Sequence, residues 1–323
     1  MSVRASLRPR APLRPRASLE ASRGDLILRG LCVGAGALVV LALADLVYEI
    51  VQGAAPAVDK YGLGFLGHTE WAPNFKHFGA AVMLFGTAVT SAMALLIAAP
   101  LSIAIGIYLA MLAPRTVRAI VGPLVEMLAA IPSVILGFWG IIVFAPFIAQ
   151  HVEPPLHSVL GWTGLFGTPE ATGVSLFTAS VILAVMIIPI IASLSRDLFL
   201  SVPSELKDGA EALGATRWEV IRGIVIPTTF AGVVSAAMLG LGRALGEALA
   251  VALTIGGGNV IHGDLFQTGN TLAAQVALQI QFLVNKMHGH ALYYLALILL
   301  VIGVTTNLLA RMIARRYTAT LGL

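Results

Sequence analysis

Six apolar runs, each long enough to cross a lipid bilayer, constrain this chain more than any other feature of its sequence. They lie near residues 28–52, 80–112, 119–150, 174–200, 227–256 and 291–313. A transmembrane helix needs about 20 predominantly apolar residues. The chain is 58% hydrophobic and 11% charged, whereas soluble domains carry about 25% charged residues. The sequence therefore predicts an all-α integral membrane protein with six transmembrane helices.

Lysines and arginines are distributed unevenly between the loops that connect these runs. Of the 20 basic residues, 16 lie near the start of the chain, in loops 113–118 and 195–226, and after residue 310. Because positive residues accumulate on the cytoplasmic side of a membrane, both termini are expected in the cytoplasm. The resulting layout is a basic cytoplasmic tail predicted to be disordered (1–27), a first transmembrane helix (28–52), an extracytoplasmic loop (53–79), a five-helix core (80–313) that includes loop 201–227, and a cytoplasmic C-terminus (314–323).

The loop between the fourth and fifth runs contains VPSELKDGAEALGATRWEVIRGIVIP, residues 202–227, and is rich in small residues. Pro203 and Ser204 form a helix start, and the short helix that follows is predicted to end or bend at Gly214. A second helical segment over 215–224 has apolar residues on one face. A helix–glycine–helix loop of this kind is compatible with a simple connector and with a docking element, because small residues permit close approach by another protein.

This loop resembles the EAA loop of ABC-transporter permeases, whose pattern is Glu-Ala-Ala, three residues, Gly, nine residues, Ile, one residue and Leu-Pro. The third residue of the pattern, its glycine, its isoleucine and its proline match without a gap; Asp-Gly replaces Glu-Ala, and isoleucine replaces leucine. The resemblance implies the MetI-like fold of type I ABC importer permeases and a coupling helix that sits in a groove of an ATPase subunit. It assigns this coupling to Asp208, Gly209, Ala210, Gly214, Ala215, Ile224 and Pro227.

Four further stretches, EMLAAIPSVILGFWGI, IASLSRDLF, MLGLGRALGEALAV and GLGFLGHTEWAP, are similar to PstC-type permeases of phosphate-specific transport systems. The resemblance implies a permease subunit of an ATP-driven phosphate importer in a bacterial inner membrane. Its expected partners are a PstA-like second permease subunit, a PstB-like ATPase dimer and a PstS-like extracytoplasmic phosphate-binding protein. A permease for another oxyanion, such as molybdate or sulfate, and an ion-coupled carrier are the alternatives.

Nucleotide chemistry is expected on another chain. The sequence has no Gly-Lys dipeptide and so cannot contain the phosphate-binding motif GxxxxGK[ST]. It also has no HExxH or GxSxG motif. We therefore predict no catalytic residue, no metal site, no cofactor in this chain and no nucleic-acid partner. ATP and Mg²⁺ belong to the ATPase, and this chain is expected to contact phosphate and membrane lipid.

Arg243 and Glu247 interrupt the fifth apolar run. Spaced four residues apart, they are predicted to project from one face of a helix over 227–256. A charged side chain at the bilayer centre costs about 2.5–3.5 kcal/mol on insertion scales, so both are expected to face the bundle interior or an aqueous path. Either the two residues form a structural ion pair, or Arg243 compensates the charge of a passing phosphate while Glu247 orients the arginine. The resemblance to an anion importer favours the second alternative.

Four other residues are predicted to serve helix packing. Gly242 and Gly246 form a small-xxx-small pair that permits close contact with another helix, in this chain or across a subunit interface. Glu126 precedes Pro132, whose ring frees a backbone carbonyl. A structural hydrogen bond from Glu126 to that helix or its neighbour is favoured over substrate contact.

Two predictions concern the outer side of the membrane. Segment YGLGFLGHTEW, residues 61–71, is predicted to form an interfacial aromatic belt, with direct contact to a partner as the alternative. All seven histidines fall on this side. They are predicted to be solvated loop residues, since only the weak His288–His290 pair approaches a metal-ligand spacing.

Overall fold

The computed structural model describes residues 23–320, with side chains described for residue 24 and residues 26–314. This part of the chain folds into α-helices joined by short helical turns and loops, and it contains no β-strand. The α-helices are α1 (Arg23–Tyr61), α2 (Gly64–Gly67), α3 (Ala81–Ile107), α4 (Arg115–Leu128), α5 (Ser133–Trp139), α6 (Ala145–Phe147), α7 (Glu153–Leu160), α8 (Leu176–Ser201), α9 (Ser204–Ala212), α10 (Arg217–Val220), α11 (Ile226–Gly246), α12 (Leu249–Thr254), α13 (Leu272–Gln279) and α14 (Lys286–Thr320).

Six segments of the described chain are long and apolar enough to cross a membrane. Three of them contain five-residue π-helical turns that join neighbouring helices or extend a helix end, at Tyr108–Leu112, Gly140–Phe144, Ile148–Val152 and Ile221–Val225. The segments are Leu26–Tyr61, Ala81–Leu112, Ser133–Thr163, Leu176–Ser201, Arg217–Gly246 and Lys286–Ala314. The predicted all-α class and number of spans are confirmed.

Two of the predicted runs are interrupted in the structure. The run over 119–150 divides because α4 ends at Leu128 and α5 begins after Pro132, so the third span starts at Ser133. The run over 227–256 divides because α11 ends at Gly246, and only the short α12 follows. The length of an apolar run alone predicts neither of these helix breaks.

The chain divides into two compact units between Glu49 and Ile50. The described part of the first unit, residues 23–49, belongs to α1. The predicted basic tail, residues 1–27, lies almost entirely outside the described residues. In the second unit, consecutive spans cross the bundle in opposite directions. The end at which α8 finishes and α11 begins is called the α9 side, and the opposite end, at which α14 begins, is called the α13 side.

Helix α8 is the centre of the second unit and packs against α3 and α11. Its side chains Leu183, Ile187 and Ile191 are almost completely buried in an apolar cluster. Small residues on the neighbouring helices permit the close approach. At Gly240 of α11, an added Cβ would lie 2.7 Å from Ile191 Cδ1, which explains why glycine is needed there.

The α13 side is closed by an aromatic cluster rather than by an interfacial belt. Phe65 stacks on Tyr294 with ring centroids 4.4 Å apart, and the Trp71 Nε1–H group donates a hydrogen bond to Gln279 Oε1 at 2.8 Å. His288 is 2% exposed and lies 2.8 Å from the same Gln279 oxygen. The predictions of an aromatic belt and of a solvated His288 are therefore wrong, because residues distant in sequence cover both.

Candidate functional site

A cavity of about 780 Å³ lies between α11 and α14, with Ile190 of α8 at its wall. The volume falls within the range of about 300–1,000 Å³ that is typical of small-molecule sites. We call it the α11–α14 cavity. Its lining residues are Ile190, Ser235, Met238, Leu239, Gly242, Arg243, Gly303, Thr306, Asn307, Ala310 and Arg311.

The lining residues form one helical stripe on each of the two spans. On α11 the stripe runs from Ser235 to Arg243, and on α14 from Gly303 to Arg311, both with spacings of three and four residues. Each stripe ends in an arginine. Since the two spans are antiparallel, the arginines lie toward opposite ends of the cavity, with eight residues or roughly 12 Å of helix rise along each stripe.

Arg243 is exposed to this cavity and has no ion-pair partner among the described residues. Glu247 lies beyond the end of α11, in an extended backbone conformation with φ −72° and ψ 117°. Its Oε1 atom accepts a long hydrogen bond from the Ala250 N–H at 3.4 Å, so the carboxylate lies beside the first turn of α12. The prediction that Arg243 and Glu247 share one helix face is wrong, because the helix ends between them.

The predicted glycine pair does not pack against another part of the described chain. A Cβ added to Gly242 or Gly246 would meet no atom within 4 Å. The glycines at which α11 packs closely against α8 are instead Gly240 and Gly232. Gly240 contacts Ile191, and a Cβ added to Gly232 would lie 2.8 Å from Leu198. Gly242 lines the cavity. Contact of the glycine pair with another subunit stays a prediction.

Glu126 joins two helices at the α9 side. Its Oε1 atom accepts a hydrogen bond from Arg196 Nη2 at 2.8 Å, which links α4 to α8 as the sequence predicted. Arg196 also pairs with Asp197 Oδ1 at 2.9 Å, and its side chain is only 17% exposed. Pro132 caps the start of α5, where its carbonyl accepts a hydrogen bond from Ile135 N at 3.0 Å.

The loop between α8 and α11 has the predicted helix–glycine–helix form. Helix α9 ends at Ala212, and Gly214 adopts a φ of +92°, which favours glycine. The Ala215 N–H closes the turn by donating to the Ala210 carbonyl at 3.1 Å. A capping box between Thr216 and Glu219 then starts α10.

The predicted coupling residues divide between the exposed and packed surfaces of this loop. Ala210, Ala215 and Ile224 are half-buried against an apolar cluster that includes Phe199 and Val220. Pro227 is also half-buried, and Asp208, Gly209 and Gly214 are exposed.

Sequence reasoning missed several residues in these two regions. Leu213 is 92% exposed at the tip of the loop, and Trp218 is 62% exposed beside it; an apolar residue next to a turn glycine is a signal that was available. Asn307 was included only as part of the last apolar run, and Arg311 only as one of the basic residues that indicate membrane orientation. Their four-residue spacing places them on one helix face, but only the tertiary structure shows that this face lines the cavity.

These features define a multi-pass, all-helical membrane protein with a cationic cavity between two spans and an exposed helical loop at one end of the bundle. The chain belongs to the family of binding-protein-dependent transport system inner membrane components, which matches residues 102–319. It is thus a transport component and not an enzyme, as predicted.

Curated relatives extend over nearly the whole chain. The phosphate transport system permease protein PstC of Mesorhizobium japonicum is 40% identical over 302 residues, covering 92% of each chain. PstC of Haemophilus influenzae is also 40% identical and covers 88% of this chain and 91% of the relative. PstC 1 of Mycobacterium tuberculosis is 36% identical and covers 89% and 92%.

Solved structures share the fold at low sequence identity. A bacterial alginate ABC transporter, in complex with its alginate-pentasaccharide-bound periplasmic protein, aligns with a TM-score of 0.61 at 16% identity and covers 91% of this chain and 96% of its own. The inward-facing methionine transporter MetNI aligns with a TM-score of 0.52 at 20% identity, covering 73% and 96%. The predicted type I ABC importer permease fold is confirmed.

Proposed function

We propose that this chain is a permease subunit of an ATP-driven importer of inorganic phosphate and forms the translocation path together with a second permease subunit. The observation that carries the proposal is the placement of Arg243 without a carboxylate partner in a cavity between two spans. The chain's PstC relatives, which are phosphate permeases by name, identify the class of anion. Sulfate and molybdate carry no comparable support.

The chemistry of arginine suits this role. Its planar guanidinium offers five donors to the oxygens of a phosphate and stays charged at any working pH. An arginine inside a span is costly unless it faces a cavity or a counter-ion. The approaching anion itself supplies the counter-charge that Arg243 lacks, so binding is favourable. Binding is also transient, because the anion leaves again along the path. Glu247 fixes the helix break next to the arginine and thereby sets where the path meets the end of α11.

The proposed assembly contains a PstA-like second permease, two PstB-like ATPase subunits that bind ATP and Mg²⁺, and a PstS-like phosphate-binding protein. The exposed Leu213 and Trp218 support docking of the loop around Gly214 into an ATPase groove, because both expose large apolar surfaces at the end of the bundle. Small residues beside them, including Gly209, permit close approach. Hydrolysis would move this loop and switch access to the cavity.

The proposed location is the bacterial inner membrane, with both termini and the α9 side in the cytoplasm. The uneven distribution of basic residues supports this orientation. The α13 side, with its aromatic cluster, then faces the phosphate-binding protein.

The direct experiment reconstitutes the complete complex in liposomes with ATP inside and measures uptake of labelled phosphate in the presence of the binding protein. Uptake is expected to require both ATP and the binding protein, and to persist in an excess of sulfate or molybdate. Efficient uptake of labelled sulfate or molybdate at the expense of phosphate would contradict the assignment. ATP-independent uptake driven by an ion gradient would contradict the transporter class.

A further inference from the structure

We propose that Arg311 and Asn307 form a second anion-binding station at the α9 side of the α11–α14 cavity, so that phosphate moves from Arg243 to Arg311 before it leaves the chain. The inference rests on the proposed function, because it assigns a further site to the same substrate. Its basis is the occurrence of two arginines at opposite ends of one cavity.

The charge balance of the cavity is the first argument. Its lining contains two arginines and no acidic residue, and neither arginine forms an ion pair among the described residues. Elsewhere in the described bundle, Arg196 is held by two carboxylates. A cavity with two guanidiniums that lack carboxylate partners favours anions. A multiply charged oxyanion can supply the negative charge that these arginines do not receive from the protein.

The free hydrogen-bond donors point to the same end of the cavity. Ser235 and Thr306 donate their hydroxyl protons to carbonyls of their own helices, at 2.8 Å and 2.7 Å. The side-chain amide of Asn307 makes no hydrogen bond within the described part of the protein, and it lies one turn before Arg311 on the same stripe. An amide and a guanidinium on one face provide donors for several oxygens of a tetrahedral anion.

The position of Arg311 on α14 is the third argument. Leu308, Met312 and Ile313 are more than half exposed and occupy the other faces of the helix. Ala310, the neighbour of Arg311 on the cavity stripe, is 3% exposed and faces the bundle. Arg311 therefore lies on the surface that α14 presents to α11. Its predicted use, as one of the basic residues that fix membrane orientation, does not require that placement.

Two stations fit the physics of conduction better than one. A single strong site would hold the anion, whereas release requires that binding be weak enough or divided over several sites. Transfer over roughly 12 Å of helix rise replaces one set of charge-assisted hydrogen bonds by another. The anion then avoids a fully unpaired position between the middle of the bundle and its α9 side.

The test compares R311Q, R311K and N307A with the wild type in the full reconstituted complex, using R115Q as the matched control. Arg115 is exposed at the start of α4 and lies outside the cavity. R311Q is expected to lower the maximal rate of phosphate uptake by roughly tenfold to a hundredfold, the range for loss of hydrogen bonds to a charged group. R311K should recover part of the rate, N307A should show a smaller loss, and R115Q should match the wild type.

Two arms separate a free phosphate from a lipid headgroup as the ligand of Arg311. In liposomes that contain only zwitterionic lipid, the R311Q defect should persist. If the wild type falls to the R311Q rate there, Arg311 acts on anionic headgroups and the second station is refuted. In a background with the native Cys32 replaced by alanine, phosphate should also slow the reaction of an R311C thiol with a charged thiol reagent. Equal reaction rates with and without phosphate would refute the station.

The same measurements distinguish failure of this inference from failure of the proposed function. If the wild-type complex imports phosphate and R311Q imports it at the same rate, the second station is wrong and the phosphate assignment stands. If the wild type itself imports no phosphate, the proposed function is wrong. If R311Q does not assemble, R311K and N307A decide: wild-type maximal rates in both would reject the station.

Discussion

Two arginines of the second unit, Arg196 and Arg243, lie in spans and have opposite surroundings. Arg196 donates to Glu126 and Asp197 at 2.8 Å and 2.9 Å, and its side chain is only 17% exposed. Arg243 has no ion-pair partner among the described residues, and its side chain is exposed. The protein neutralises the first charge internally and leaves the second without a carboxylate partner among the described residues.

Under the proposed function, this difference separates a structural charge, Arg196, from a binding charge, Arg243. An arginine that is held by two carboxylates links helices and has little remaining attraction for an anion. An arginine that faces a cavity without a carboxylate keeps its full field and its donors. The rarity of uncompensated charges inside spans makes the second arrangement informative, because folding alone does not favour it.

Removal of the binding charge should have the largest effect. In Arg243→Gln, loss of two or more charge-assisted hydrogen bonds, each worth about 1.5–3 kcal/mol, should lower phosphate uptake by roughly a hundredfold or more. The assembled complex should remain at wild-type levels, because no described residue depends on Arg243 for a partner. Uptake of labelled phosphate per purified complex measures the effect. Normal uptake, or loss of assembly, would contradict a binding role.

Converting the binding charge into a paired one should have the next largest effect. Leu239 lines the cavity four residues before Arg243 and is 59% exposed. In Leu239→Glu, a carboxylate at this spacing pairs with the arginine and competes with phosphate, so uptake should fall by roughly tenfold. Leu239→Gln, of equal size but neutral, is the matched control and should retain most uptake. Equal rates in the two variants would show that volume and not charge governs this site.

The structural charge should affect stability rather than transport. Arg196→Gln leaves Glu126 and Asp197 without their shared cation and should lower the free energy of unfolding by about 1–2 kcal/mol. Thermal unfolding of the purified permease pair measures this change. Phosphate uptake per assembled complex should stay within about twofold of the wild type. A transport defect as large as that of Arg243→Gln would place Arg196 on the path and remove the distinction between the two arginines.

Local sequence signals predicted much of this fold. Apolar length predicted the number of spans, and the glycine at 214, which adopts a φ of +92°, predicted the turn after α9. Glu126 was predicted to bond its own or a neighbouring helix because an isolated carboxylate in an apolar segment needs a partner. Each of these inferences uses either residues that are close in sequence or the free-energy cost of leaving a charge without a partner, which applies to any fold.

The site was predicted only in part, because its geometry depends on tertiary contacts. No proline marks the end of α11, so apolar periodicity extends the predicted helix past Glu247; only the glycine at 246 hints at a helix end. Arg311 lies 68 positions after Arg243 in the sequence, and no local pattern relates them. The burial of His288 likewise depends on Gln279 and Trp71, which come from two other segments.

Glu126→Gln should have the smallest effect of the four variants. The Glu126 side chain is 53% exposed, and half-exposed ion pairs contribute about 0–1 kcal/mol. The glutamine amide oxygen can still accept a hydrogen bond from Arg196, and Asp197 continues to pair with Arg196. Thermal unfolding should therefore give a loss below about 1 kcal/mol, smaller than that of Arg196→Gln, with unchanged uptake. If the two variants were equally unstable, Glu126 alone would hold Arg196, and neutralisation by two carboxylates would not be the basis of the difference from Arg243.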